Sequence, residues 1–481
     1  PTASSSRTTS LIEYGNGRTR SEINERIIRL FQDGIVASDA SEGTNLNFSQ
    51  YRAFIVFHAG LGGESSQALN DVPSAYISPQ DLDTYIEGPI PVDNGEFNIT
   101  NGMLLPEAIS TNGRGGLNAA IARFFANQLG LPTLSDRQND LPAVGRWSLL
   151  DSGDKIPFPA SDLGLQGLNT DAQNASLVGF IPSGMLAWSR IRLGWITPHT
   201  VTHDDTVQIV AAHVRSDLPQ AVRVPISATE CFLLENRISR LKERNRTPTI
   251  QFSRGTEGGV WLSIDDYDAF IPGSGILIWH VDDAVIQRSD SENQINSNPA
   301  YEIAFAQYRR GVSLEEADGL EDIGNVSASR VIQDGIISFS TIEGGAEDPY
   351  YLGNTTTFGP DTTPNTNSNL NHPSGITIEV LSPPGDTMAV AIRFARFEEI
   401  WPITGLTADS RHAPRVADLN GDGTKEIIRA QNQAGAFGTS AWLMDGTPVD
   451  EPRFTATSPP AIGNLMLATL SEFIFANKNI P

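Results

Sequence analysis

The run GILIWHVD at Gly275–Asp282 is apolar almost throughout, up to His280. Its length and its β-branched residues predict a strand over Gly275–Val281. Similar short runs, separated by turns, recur on both sides of it after about residue 200. This pattern predicts an all-β region, most simply a sandwich of two sheets. The other predicted strands are Val207–Val214, Ala221–Ile226, Thr229–Glu235, Gly259–Ser263, Ile336–Ile342, Ile376–Leu381 and Met388–Phe394.

The sequence before residue 200 combines helices with fewer strands. Residues 21–34 predict an amphipathic helix that stops at Gly34. The apolar run Tyr51–His58 predicts a strand buried on both faces. Residues 182–197 predict another helix that runs into a strand. Between them, a further helix is predicted by apolar residues at helical spacing, namely Leu117, Ile121, Phe124, Phe125 and Leu129. The fold class predicted for the chain is therefore α+β.

Composition and net charge limit the kinds of molecule that the chain can bind. The chain has 481 residues and a formal net charge of −24. This charge disfavours binding to nucleic acid or to anionic lipid, because both need clustered Lys and Arg. It suits a soluble extracellular protein whose carboxylates can hold calcium, although plain solubility also explains it. No apolar stretch reaches the length of a membrane span. The single cysteine, Cys231, is predicted to be a small buried core residue.

A calcium loop is predicted near the C-terminus. Side-chain oxygens of Asp418, Asn420, Asp422 and Glu426, with the backbone carbonyl of Thr424, have the spacing that can enclose one hard cation. The segment resembles the calcium loop of integrin-type FG-GAP propeller repeats, in which the loop joins two strands. A solvated Asp/Asn/Gly turn is the alternative. The unit at 397–481 would supply one or two propeller blades, fewer than a closed propeller needs. The chain is therefore expected either to continue or to complete its blades on a partner.

Several short phrases, taken together and in order, resemble the immune inhibitor A-type secreted metallopeptidases of bacteria over residues 25–395. The resemblance implies a metzincin-like peptidase domain followed by β domains, and a secreted or cell-surface location. With it, the predicted organisation is an arm at 1–20, a peptidase-like domain at 21–200, a β-rich domain at 201–396 and the calcium repeat at 397–481. The phrases are FIVFHAG (54–60), GLPTL (130–134), GRWSLLDSG (145–153), AWSRIRLGW (187–195), FLLENR (232–237), GILIWHVD (275–282) and EEADG (315–319).

The zinc motif of that family is altered here. The family has H-E-x-x-H-x-x-G-x-x-acid, in which two histidines bind zinc and the Glu activates water. Aligned on Gly130, the first ligand position holds Arg123 and the second holds Asn127. Phe124 stands in place of the general base and Thr133 in place of the third ligand. The family's Met is replaced by Leu150. None of these residues can perform the family's chemistry, so neither zinc nor peptidase activity is expected.

Three functions remain open from the sequence. The chain can be a non-catalytic surface or structural protein, whose partners are other extracellular proteins or further copies of itself. It can be a hydrolase with a relocated active site, although no G-x-S-x-G elbow is present and His280 is expected to be a satisfied structural histidine. It can be a pseudoprotease that binds an extended peptide without cutting it.

Overall fold

A computed structural model describes residues 19–42, 46–63, 71–109, 115–163, 176–255, 258–291, 293–297, 309–333 and 336–395, with short strands between 415 and 474. Helices and strands are mixed along the chain, so the fold is α+β, as predicted. Contacts divide the chain into two units, Pro1–Phe394 and Ala395–Pro481. None of the described helices has the length and apolar character needed to cross a lipid bilayer.

The first part of the chain forms a small sheet with helices packed against it. Strand β5 lies at the centre of this sheet, parallel to β1 and antiparallel to β2, while β3 and β4 form a separate hairpin. Short 3-10 helices lie at Phe48–Gln50, Asp93–Gly95, Gly145–Trp147, Ser152–Asp154 and Ala160–Leu163. The elements are α1 (Arg20–Glu42), β1 (Ile55–Leu61), β2 (Ala75–Ile77), α2 (Pro79–Ile86), β3 (Ile90–Val92), β4 (Phe97–Ile99), β5 (Gly102–Ala108) and α3 (Asn118–Gln128).

Helix α1 continues to Glu42, so the stop predicted at Gly34 is wrong. A Cβ atom at Gly34 would lie 2.8 Å from Cγ1 of Val56, closer than side-chain atoms can approach. Glycine is therefore needed there for the close packing of α1 on β1 rather than to end the helix. Ile28 and Phe31 lie on the same buried side of α1.

Strand β1 is not buried on both faces, contrary to the prediction. Val56 packs towards α1, but Ile55 is 39% exposed and Phe57 is 58% exposed. Among the described residues, β1 is the outer strand of its sheet. Its central neighbour β5 has the buried residues Leu104 and Leu105. An apolar run therefore predicted the strand correctly but not its place at the edge.

The second part of the chain is rich in β-strands, as predicted. Each strand predicted after residue 200 overlaps an observed one, whereas the helix predicted over 182–197 shortens to Ala187–Arg192. The elements are β6 (Phe158–Pro159), β7 (Ser176–Leu177), α4 (Ala187–Arg192), β8 (His199–Thr200), β9 (Asp205–Val210), β10 (Ala221–Pro225), β11 (Glu230–Arg237), α5 (Arg240–Arg244), β12 (Ile250–Gly255), β13 (Gly258–Ile264), β14 (Gly275–Asp282), α6 (Asp283–Ser289), β15 (Val312–Leu314), β16 (Val326–Gln333), β17 (Ile336–Thr341), β18 (Thr357–Phe358), β19 (Ile376–Val380) and β20 (Thr387–Phe394).

Two sheets share one core in this part. A five-stranded sheet has the order β15-β14-β11-β10-β8, and a four-stranded sheet has the order β18-β19-β20-β9. Phe232 and Ile278 of the first sheet pack with Ile378 of the second. Side chains alternate along a strand. The neighbouring residue Cys231 therefore faces away from the four-stranded sheet, and it is buried, as predicted.

The other face of the five-stranded sheet packs against residues that precede position 200. Leu233 and Trp279 belong to the same core as Trp147, Leu150 and Trp188. The sheet is thus buried on both faces, and a single core spans the boundary expected at 200/201. This arrangement places the residues of the altered zinc motif and the β-rich region in one compact unit.

Two charged residues of β11 lie in this core. The Arg237 guanidinium is fully buried and donates to both oxygens of Asp268, and its Nη1 donates to the carbonyl of Trp147 at 2.9 Å. Glu235, also fully buried, accepts from Nε1 of Trp279 at 2.9 Å and from Nη2 of Arg190 at 3.1 Å. These bonds join α4 and the Trp147 segment to the central sheet.

The C-terminal unit is described through its strands. β21 (Arg415–Ala417), β22 (Glu426–Gln433), β23 (Ala436–Leu443) and β24 (Thr455–Ala456) form an antiparallel sheet in sequence order. β25 (Ala461–Gly463) pairs with β26 (Glu472–Ile474). The expected start of this unit, at residue 397, lies close to the division after Phe394.

We expect Asp268→Ala to lower the free energy of unfolding by about 3–5 kcal/mol, because it leaves the Arg237 guanidinium buried without a carboxylate. Denaturant unfolding followed by tryptophan fluorescence measures this loss. Glu25→Ala is the control, since it removes an exposed ion pair with Arg29 and should cost less than about 1 kcal/mol. A small loss of equal size in both variants would contradict a structural role for Arg237.

Candidate functional site

Helix α3 carries three of the residues that the family resemblance would place in the zinc motif, and Arg123 is the first of them. Its Nη1 lies 2.8 Å from Oδ2 of Asp154, and the two side chains are only 20% and 7% exposed. The amide of Asn127 is buried and donates from Nδ2 to the carbonyl of Leu131 at 2.9 Å. The first contact links α3 to the 3-10 helix Ser152–Asp154, and the second stabilises the turn after α3.

The turn after α3 depends on Gly130 and Thr133. Gly130 has φ +96°, in the region that favours glycine. Thr133 is buried, and its backbone N–H donates to Oδ1 of Asn293 at 2.6 Å. Phe124 is partly buried and has no group that can move a proton. The four positions of the altered motif are therefore close together along α3 and its turn, and the contacts found for three of them hold the backbone in place.

The face of α3 that packs into the protein differs from the prediction. Phe125 is 47% exposed and Leu129 is 46% exposed, although their spacing predicted a buried face. The fully buried positions are Ala119, Ala126 and Asn127. Small side chains on that side let α3 lie close to the core, so the larger apolar residues point outwards.

The segment 143–154 forms a rigid turn beneath α3. One oxygen of the Asp151 carboxylate accepts three backbone N–H groups, from Ala143, Val144 and Gly145, at 2.8, 2.8 and 2.9 Å. Burial raises the pKa of Asp151, while the three hydrogen bonds lower it. Leu150, in the position of the family's Met, is completely buried. This segment is a structural support, and Asp151 has no partner in it that acts as a nucleophile.

The predicted calcium loop lies outside the described residues at Asp418, Asn420, Asp422 and Thr424. Glu426 is described only as the first residue of β22. The flanking strands β21 and β22 pair antiparallel, with Ala417 opposite Glu426. The loop therefore joins two neighbouring strands, which is the setting expected for it.

A polar cleft of about 770 Å³ lies at one edge of the five-stranded sheet. Its walls come from His280, from residues 309–325 and from the loop at 363–371, with further residues between 136 and 141. We call this feature the polar cleft. These segments are separate in the sequence, and of the residues that line the cleft only His280 was considered as a possible catalytic residue from the sequence alone.

His280 lies at the base of the polar cleft and is almost fully buried. Its Nδ1 is 3.0 Å from Oε1 of Glu315, and its Nε2 is 3.1 Å from Oε2 of Glu230. Burial by itself would lower the pKa of His280, but the two carboxylates raise it to about 9. The ring is thus a cation at neutral pH with both nitrogens bound to carboxylates. This environment suits the satisfied structural histidine that was expected and does not suit a general base.

A group of carboxylates next to the polar cleft was not singled out as a site from the sequence. Ligand atoms of Glu316, Asp318 and Asp348 lie within 4.8 Å of one another, close enough to hold one cation. Burial raises the pKa of Glu316 to about 8 and that of Asp348 to about 6. Glu316 already accepts two backbone N–H groups, and Asp348 accepts the indole N–H of Trp147. These bonds account for the buried carboxylates without an ion.

The raised pKa of His280 gives a pH-dependent stability. A histidine in an unfolded chain has a pKa of about 6.5. The folded value of about 9 lies above it. Protonation of His280 therefore stabilises the fold, fully below about pH 6.5, and this contribution is lost as pH rises through about 9.

We expect the stability advantage of the wild type over His280→Gln to shrink between pH 6.5 and 10, measured by denaturant unfolding. His372→Gln, at an exposed loop position, is the control. A pH-independent difference for His280→Gln would contradict the paired cation.

Comparisons with protein-family models, with curated proteins and with solved structures found no match to this chain. What the chain does must therefore follow from the chemistry of its own side chains, above all those of α3, β1 and the polar cleft.

Proposed function

We propose that this chain is a secreted, non-catalytic metallopeptidase homologue, metzincin-like in its first part, that acts as a surface, structural or binding protein. The observation that carries the proposal is the ion pair between Arg123 and Asp154, at 2.8 Å. Arginine is a permanent cation, and here it occupies the position of the first zinc ligand. A zinc ion beside it would be repelled, and the Asp154 carboxylate is already neutralised by the arginine.

The other positions of the altered motif support the same conclusion. The Asn127 amide is bound to the carbonyl of Leu131, and neutral oxygen ligands are in any case poor for zinc. Phe124 cannot activate water. A relocated hydrolase remains the alternative, but His280 does not favour it, because a histidine with a pKa of about 9 is already protonated at neutral pH.

The surface of the first part favours binding of an extended polypeptide as a second candidate function. Ile55 and Phe57 alternate along β1, an outer strand among the described residues, and both are well exposed. An edge strand offers backbone groups to a partner strand, and alternating apolar side chains add specificity. Phe125 and Leu129 add exposed apolar area on α3. This is the pseudoprotease function, in which a peptide is held and not cut.

The C-terminal unit supports a calcium-binding repeat of the FG-GAP type. An antiparallel sheet of four strands in sequence order, as in β21 to β24, is the arrangement of one propeller blade. The ligands would be Asp418, Asn420, Asp422, Thr424 and Glu426, with calcium as the ion. Such a unit gives the protein an end that can bind a partner or another copy at the cell surface.

We expect the purified protein to contain no stoichiometric zinc and to leave casein intact, because Arg123 repels the metal and no residue of the motif activates water. Elemental analysis by mass spectrometry measures the zinc content, and gel electrophoresis after prolonged incubation measures cleavage. Thermolysin in the same buffer is the positive control for the assay.

Two outcomes would change the proposal. One zinc per chain would contradict the absence of a metal site, and casein cleavage that a chelator abolishes would show that the chain is an active metallopeptidase. Tryptic casein peptides that are retained by the immobilised protein with unchanged mass would favour the second candidate. In that case Phe57→Glu should abolish retention, whereas Leu218→Glu, at an exposed leucine of another surface, should not.

We expect calcium to protect the C-terminal unit from limited proteolysis, and EGTA to remove this protection. Three carboxylates in one short loop repel each other unless a cation lies between them. With a dissociation constant near 10⁻⁴ M, about 1 mM calcium would stabilise the unit by about 1.4 kcal/mol. Asp422→Ala should be cleaved equally with and without calcium.

Two controls separate calcium binding from a general charge effect. Magnesium at the same concentration tests ionic strength and charge screening. Asp217→Ala removes a carboxylate from the first unit and should keep the calcium-dependent protection. Cleavage of the wild type at the same rate with calcium and with EGTA would show that residues 418–426 form an ordinary polar turn.

A further inference from the structure

The polar cleft differs from most small-molecule sites, whose walls are largely apolar. Its lining includes amide side chains, hydroxyl groups and charged groups, and no Phe, Tyr or Trp among the described residues. Polar groups that lose water on binding cost free energy unless the ligand replaces their hydrogen bonds. A ligand of this cleft must therefore offer many hydrogen-bonding groups itself. We propose that the polar cleft binds a neutral oligosaccharide.

The charged groups of the cleft are largely neutralised by one another, which argues for an uncharged ligand. His280 lies between Glu230 and Glu315, and Arg309 donates to Asp282. Four acidic side chains and three basic ones line the cleft. Glu316 is one of the acids, and with a pKa of about 8 it is mostly protonated at neutral pH. The lining residues alone are therefore close to neutral, in a chain whose formal net charge is −24. Glu230 and Asp282, which pair with His280 and Arg309, are two further carboxylates that do not line the cleft.

The uncharged part of the lining matches hydroxyl groups. Asparagine side chains face the cleft from three segments, at Asn139 and Asn325 and at alternate positions from Asn365 to Asn371. Some of these amides already donate within the protein, from Asn139 to Asp136, from Asn367 to Asn371 and from Asn369 to Asp282. An amide has two N–H donors and an oxygen with two lone pairs, so each keeps a donor or an acceptor for a sugar hydroxyl. Arg309 adds a buried Nε donor that has no hydrogen-bond partner among the described residues.

The loop at 363–371 is already held in place, so a ligand need not order it. The backbone N–H of Asn369 donates to Glu230 at 2.7 Å, and its Nδ2 donates to Asp282 at 2.9 Å. The same two carboxylates bind His280 and Arg309. The loop and the sheet are thus joined through one buried network, and this preorganisation lowers the entropy cost of binding.

The small number of apolar residues in and beside the lining favours a sugar over a peptide as the ligand. Leu320 is 66% exposed and Leu370 is 57% exposed, each next to a residue that lines the cleft. Sugar rings present hydroxyls at their edges and C–H groups on their faces, so a mainly polar lining with a few apolar residues, Leu141, Leu314 and Ile323, fits them. A peptide gains its affinity mainly from buried apolar anchors. The cleft offers few apolar positions for such anchors. The inference does not depend on the state of the zinc motif.

The test measures binding of three defined probes, cellotetraose, chitotetraose and maltotetraose, to the whole chain by calorimetry and by saturation-transfer NMR. We expect at least one of them to bind. The double variant Asn325→Ala/Asn367→Ala should weaken that binding by about tenfold, because it removes two amide contacts. Asn98→Ala, at an exposed position of β4 outside the cleft, is the matched control and should bind like the wild type. Thermal unfolding of each variant verifies that it is folded.

Three results would overturn the proposal. The first is the absence of binding by all three probes. The second is equal affinity of the wild type and the double variant, which would place the sugar elsewhere. The third is displacement of the bound probe by tryptic casein peptides that themselves lose affinity in the double variant, which would make the cleft a peptide site.

Discussion

The buried guanidinium of Arg237 is the interaction on which the first unit depends. A charge in a protein interior is tolerated only where other groups replace its water. Asp268 and the Trp147 carbonyl do so here, and each comes from a different segment of the chain. Once Arg237 is in the core, these segments must lie against β11. Glu235 lies two residues earlier on the same face of β11. It accepts a hydrogen bond from Arg190, so α4 must also lie against β11. The segments before residue 200 and the β-rich segments after it are thereby parts of one folded body.

Strands could be predicted reliably from the sequence where both of their faces are buried. β11 and β14 lie in the middle of a sheet with both faces covered, so a continuous apolar run is what their position requires. β1 has a similar run, yet Phe57 is exposed, because a strand's place in its sheet is decided by pairing over long distances. Gly34 shows a related difficulty. A glycine can end a helix or let a helix approach a strand, and only the position of Val56 distinguishes the two.

The candidate sites were predictable to different degrees for a physical reason. The positions of the altered zinc motif follow one helix and its turn, so residues 123–133 were close together in any fold that kept the helix. Their contacts to Asp154 and Asn293 come from separate segments and could not be read from spacing. The polar cleft is assembled from four separate segments that lie between residues 136 and 371. His280 drew attention because it follows an apolar run, but its two carboxylates are known only once β11 and β15 lie beside β14.

The pair of Arg123 and Asp154 also has a consequence for protein engineering. Asp154 is nearly buried, and its Oδ1 already lacks a hydrogen-bond partner among the described residues. A single change of Arg123 to histidine would leave this carboxylate without its cation, and the loss of stability would come before any gain of metal binding. A metal site designed on this helix would therefore need a change at position 154 as well as at position 123.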